Sequence, residues 1–151
     1  MTPRLRPADL RPIQRLWAVL IGSTVLSVVM LLGLYLRSAP LVPEVKEAAF
    51  YTNALLNFAA VAGSMWAQQH TVRRIEGAKT PQGAFVAARV GGLTALLLLE
   101  ISALVAGAAA LVGGEAINFA FVVPYVIYAV AFFPTPLRLQ LLLAVREGAS
   151  R

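Results

Sequence analysis

The residue best placed to do chemistry in this sequence is Glu100, the lone carboxyl within Leu96-Leu97-Leu98-Leu99-Glu100-Ile101. An acidic side chain at the centre of a bilayer costs about 2.5–3.5 kcal/mol on insertion scales, so such residues are rare. Hydrocarbon disfavours the ionised form, and a carboxyl kept there needs a partner, a proton or a cation. Arg89 lies eleven residues earlier. A helix places it ~16 Å away at ~1.5 Å per residue, where it snorkels to the membrane surface instead of pairing. The chemistry open to Glu100 is therefore proton or cation relay, or hydrogen bonding between helices.

Depth matching supplies candidate partners. Asn53, Asn57, Ser64 and Gln68 fall at offsets of 0, 4, 11 and 15, one face of a helix, and Asn57 is expected near the level of Glu100. Ser23 and Ser27 are four apart, with Ser27 near mid-depth. Tyr125 and Tyr128 stand beside Pro124, whose missing N–H frees the carbonyl of Ala120 in a continuous α-helix. One residue per helix (Ser27, Asn57, Glu100, and Tyr125 or Tyr128) makes an expected polar cluster inside a bundle. Three roles fit it: glue between helices, a proton or cation relay, and contact with a partner subunit. Small-xxx-small spacing at Ser102–Ala106–Ala110 and Ala103–Gly107 allows close helix packing in each case.

The stretch Glu100-Ile101-Ser102-Ala103-Leu104-Val105-Ala106-Gly107, preceded by the polar loop from Arg73 to Gln82, resembles the carboxylate helix of rotary ATPase proteolipid subunits. In that family too, a cytoplasmic polar loop precedes a mid-membrane acid. The family's glycine-repeat helix before the loop is replaced here by the Asn-bearing segment, so the likeness is confined to the loop and the carboxylate helix.

Other chemistry finds few residues to carry it. There is no cysteine, which excludes disulfides, thiolate nucleophiles and cysteine-held metal. The single His70 cannot ligate a haem from both sides. With Arg73 and Arg74 it reads as an interfacial anchor, as do Trp17, Trp66, Tyr35 and Tyr51. No phosphate loop, HExxH or GxSxG occurs. The expectation is a non-enzymatic chain without cofactor or metal; a lipid- or quinone-modifying enzyme is a third, weaker reading, since no acid–base pair accompanies Glu100.

The elements that position these residues follow from composition. Hydrophobic residues make up 59% and charged residues 13%, where a soluble domain carries roughly 25% charged. Four apolar blocks, residues 17–36, 48–67, 90–112 and 117–133, approach the ~20 residues a crossing needs. The expected fold is an all-α single membrane domain, a four-helix up-down bundle. Residues 137–146 suit a short interfacial helix, with Arg138, Gln140 and Arg146 among leucines.

Lys and Arg set the orientation. Eleven of the thirteen fall on one side of a four-span arrangement, in the N-terminal arm, the 73–89 region and the tail. The other side has Arg37 and Lys46, offset by Glu44 and Glu47. Both ends are thus expected in the cytoplasm, in a bacterial inner membrane. The net charge of +6 sits beside apolar blocks, which points to lipid headgroups and not to nucleic acid. The first block is longer than the ~7–15 residues of a signal core, so it is read as a retained span. The leading expectation is an accessory or structural subunit of a membrane complex, or a small homo-oligomer, with other membrane subunits or itself as partner. The alternative is proton or cation translocation through Glu100.

Overall fold

The structure, a computed structural model, describes residues 7–135. The expected interfacial helix at 137–146 lies outside the described residues, as do Arg4, Arg6, Arg138, Arg146 and Arg151. Four α-helices, α1 (Pro7–Tyr35), α2 (Lys46–Glu76), α3 (Pro81–Gly113) and α4 (Val123–Ala131), account for most of the described chain. A 3-10 turn at Pro43–Val45 leads into α2, and a 3-10 helix at Ala116–Val122 leads into α4. Among the described residues there is no strand. Two helices are long and apolar enough to cross a membrane: α1 over Arg11–Tyr35 and α3 over Gln82–Gly113.

The first three helices are each longer than their apolar blocks. α1 starts ten residues before its apolar block, at Pro7, with Pro12 inside it. Proline suits a first turn, and Pro12 removes only one backbone bond near the helix start. α2 continues nine residues past 67, through Gln68 to Glu76, with Arg73 and Arg74 in its last turn, where cations favour the helix dipole. α3 starts nine residues before 90. Thr80 caps it by accepting the Gly83 N–H at 3.1 Å, and Pro81 takes the first position. The resulting short connection between α2 and α3 makes them antiparallel neighbours.

At the other end, Gly114 turns the chain with φ +75°, and a Cβ there would meet the Pro40 ring. Its N–H donates to Ala110 O at 2.8 Å. Two more terminal carbonyls of α3 accept from the 36–45 connection, Leu41 N to Leu111 O and Val42 N to Val112 O. Lys46 and Glu115 close the same end with a 2.9 Å ion pair.

The fourth segment differs most from expectation. Pro124 stands in the first turn of α4, where no N–H is needed. The carbonyl of Ala120 is not free, because the chain ahead of the proline is 3-10 and the Val123 N–H donates to it. A change of helix type absorbs the missing donor.

α3 is the central helix. Half of its most apolar window is buried, against 11% for α1. Ala95, Leu96, Ala103, Ala106 and Ala110 have no exposed surface. α1 runs parallel to α3, with Trp17 against Gly92, Thr24 against Glu100 and Leu31 against Gly107. α2 runs antiparallel, with Thr71 against Gly91, Gly63 against Leu98 and Ala49 against Gly113. A Cβ at Gly91 would land on the Thr71 side chain, so this crossing requires glycine. The fourth segment lies along α3, reaching α1 through Tyr35–Phe119 and Trp17–Tyr128 and α2 through Phe50–Phe121.

The burial pattern of α2 is inverted relative to a helix in water. Asn53, Asn57 and Ser64 are 0%, 3% and 4% exposed, while Leu55, Phe58 and Trp66 are 69%, 76% and 65% exposed. A soluble helix turns its apolar stripe to the core and its polar face to water.

Candidate functional site

Polar side chains gather at two levels of the bundle interior. The first centres on Glu100, half-buried on α3. Thr24, 1% exposed on α1, places its Oγ1 2.6 Å from Glu100 Oε1 and 3.0 Å from the Leu20 carbonyl. A threonine hydroxyl has one proton to donate. When Thr24 donates to Glu100, the Leu20 carbonyl receives nothing from it. When it donates to Leu20, a protonated Glu100 must be the donor to Thr24. The triad therefore has two hydrogen-bonding arrangements, which differ in whether Thr24 or Glu100 is the donor between them.

The other carboxyl oxygen, Oε2, is buried and has no hydrogen-bond partner. Tyr125, 2% exposed on α4, lies within electrostatic reach of both Thr24 and Glu100, yet its hydroxyl makes no hydrogen bond of good geometry. Ser102 Oγ, also on α3, is buried and unpartnered. Most buried side-chain polar atoms in proteins have partners, so the Glu100 Oε2 and the Tyr125 hydroxyl, both without one, stand out, while Ser102 points to the other side of α3.

The second level is a chain of asparagines. Asn57 Nδ2 donates to Asn53 Oδ1 at 3.0 Å and to the Asn53 carbonyl at 3.3 Å. Asn53 Nδ2 donates to Asn118 Oδ1 at 2.8 Å, and Asn118 Nδ2 donates to the Glu115 carbonyl at 3.3 Å. Only Asn57 Oδ1 is left over. Beyond this set lies the ion pair of Lys46 and Glu115, whose bond and charge hold the Lys46 ammonium above its ordinary pKa.

The structure brings Glu100 and Tyr125 together and distributes the other expected members. Asn57 is part of the asparagine chain. The antiparallel register sets Glu100 opposite residues near Val61 and Asn57 opposite residues near Leu104, about one turn or ~6 Å apart in depth. Ser27 is half-buried on α1 and makes no side-chain hydrogen bond among the described residues. Tyr128 stacks between Trp17 at 6.2 Å and Phe132 at 4.5 Å, and its hydroxyl reaches the Gly92 carbonyl at a long 3.5 Å.

Two residues escaped the sequence reading. Thr24 sits between Ser23 and Ser27 on a helix that is apolar nearly all round, so its sequence does not show which side faces α3. Asn118 lies in 3-10 helix, where a 3.6-residue period misplaces it. An asparagine between Ile117 and Phe119 was the available signal. Among the described residues, no three His, Asp or Glu converge as metal ligands. No family model, curated protein or solved structure matches this chain.

Proposed function

We propose that this chain is a four-span membrane protein with both ends in the cytoplasm, acting as an accessory or structural subunit of a membrane complex or as a small homo-oligomer. The observation that carries the reading is the inversion of α2. Burying three polar side chains while presenting leucine, phenylalanine and tryptophan outward is favourable when the surroundings are lipid or another apolar helix. The 3-10 geometry of the fourth segment supports it too. Residues Ala116–Ala131 would span about 24 Å as α-helix. Seven of them at ~2.0 Å per residue extend the segment to about 27 Å, close to the ~30 Å hydrocarbon core. Charge placement orients the bundle. The described connections between helices are short, so contact with other proteins falls to the helix faces.

Extraction in mild detergent tests the subunit role. A defined partner or a defined multiple of the chain should co-migrate through size exclusion and native mass measurement. A clean monomer under all mild conditions would remove the proposal.

A second reading has its own support, the unpartnered Oε2 of Glu100 beside the unpartnered Tyr125 hydroxyl. A carboxyl with one free oxygen, and a Thr24 hydroxyl able to turn between two acceptors, can take up and release a proton or hold a monovalent cation. Glu100→Gln should then abolish ion flux in proteoliposomes while the protein stays folded; undiminished flux would end this reading.

A further inference from the structure

A cavity of about 150 Å³ lies where α1, α3 and the end of α4 meet α2, at the end of the bundle that carries most of the described Arg and Lys residues. Its walls are aromatic: Trp17, Phe85, Tyr128 and Phe132. The Thr71 hydroxyl in its lining is spent on the Ala67 carbonyl, and the other non-aromatic polar side chains there are Gln68, half-buried, and Arg89, exposed. Neither has a hydrogen-bond or ion-pair partner among the described residues. An apolar cavity with a few convergent polar groups is the usual form of a small-ligand site. The volume limits the ligand: about 150 Å³ of apolar space takes a group the size of benzene. A whole cofactor does not fit. The first few methylenes of a chain do, if the rest of the molecule stays in the bilayer.

From this we infer that the cavity binds an anionic phospholipid of the cytoplasmic leaflet, with its phosphate on Arg89, its ester oxygens near the Gln68 amide and its proximal methylenes against Trp17 and Tyr128. The inference rests on the four-span reading, which puts the cavity mouth at the cytoplasmic headgroup level. Charge complementarity selects the occupant. A guanidinium presents paired N–H donors that match phosphate oxygens, and Arg89 has no carboxylate neutralising it. The side chain lies two turns inside α3, so its length carries the charge to the headgroups while its stem borders the cavity.

The chain's two tryptophans make the test internal. Trp17 forms part of the cavity wall, whereas Trp66 is exposed on the outer face of α2. Trp17 faces Gly92, and the α2–α3 register puts Trp66 near Ala95, so the two rings differ in depth by about one turn. Single-tryptophan proteins, Trp66→Phe and Trp17→Phe, are reconstituted into phosphatidylcholine vesicles. Each vesicle preparation holds the same minor fraction of either phosphatidylglycerol or phosphatidylcholine, brominated on the chain near the headgroup. Bromine quenches tryptophan on contact.

Trp17 should be quenched about fivefold more effectively by the anionic lipid than by the zwitterionic one, and Arg89→Gln should bring the ratio to parity. Ala88→Leu, which fills the cavity and leaves Arg89 in place, should also abolish the preference. Trp66 should be quenched equally by both lipids. Parity at Trp17 with Arg89 intact, alongside quenching of Trp66, overturns the lipid site and leaves the four-span reading standing. A preference that survives Ala88→Leu also overturns the site, since it would be surface attraction alone. If neither tryptophan is quenched by either lipid, the four-span reading fails and the site with it.

Discussion

The two polar levels inside this bundle are built from similar chemistry and finished differently. In the asparagine chain, Asn57, Asn53, Asn118 and the Glu115 carbonyl form a continuous run of donors and acceptors, with one oxygen left over. Around Glu100, one short hydrogen bond is made, and a carboxyl oxygen and a phenol hydroxyl remain without partners. A satisfied polar network specifies how helices pack. An unsatisfied one leaves donor and acceptor capacity unused. The difference teaches that burial alone does not separate the two levels; unused hydrogen-bonding capacity does.

Breaking the asparagine chain should give the largest loss of stability. Asn53→Leu orphans the Asn118 Oδ1 and leaves the Asn57 amide only its longer bond to the residue 53 carbonyl, and should lower unfolding free energy in detergent by about 2–3 kcal/mol. Thr24→Val should cost less, about 1 kcal/mol, near the upper part of the range measured for hydrogen bonds between membrane helices. Glu100→Gln should be nearly neutral for stability, since an amide can still accept from Thr24. If Glu100→Gln destabilises as much as Asn53→Leu, the distinction between the two levels fails.

A double-mutant cycle sharpens the same distinction. Thr24→Val and Glu100→Ala should couple by about 0.5–1 kcal/mol, as residues in one network do, while Asn57→Ala and Glu100→Ala should be additive within about 0.3–0.5 kcal/mol. The smallest effect belongs to the exposed ion pair. Burial does not reinforce Lys46 with Glu115, so Lys46→Met should leave thermal stability at neutral pH almost unchanged. The folded-state pKa of Lys46 is raised, so whatever the pair contributes is present at neutral pH. It is lost as pH climbs through and beyond the ordinary lysine range, which an alkaline melting series would detect.

Much of this architecture was legible in the sequence, for identifiable reasons. Apolar blocks marked the helices, and the offsets of Asn53, Asn57 and Ser64 marked the inward face of α2, because a polar residue in an apolar run has a clear phase. Glu100 stood out by its type alone. Its hydrogen-bond partner did not. α1 is apolar on every side, so nothing in its pattern distinguishes Thr24 from Ser27, and the crossing with α3 decides it. Asn57 was placed at the level of Glu100 from the midpoints of apolar blocks. The real register is set by a tight connection at 77–80 joining helices that run well past those blocks. Asn118 was hidden by a local change of period that the proline at 124 imposes from downstream.

The central claim is that α2, despite its asparagines, crosses the bilayer. The native chain lacks cysteine, so single-cysteine labelling needs no background removal. Ala39→Cys, in the connection before α2, and Lys79→Cys, in the connection after it, are each expressed and exposed to a membrane-impermeant maleimide. The cysteine at 39 should label in intact cells, and the one at 79 only after the membrane is opened. Labelling of both from the same side would contradict the account.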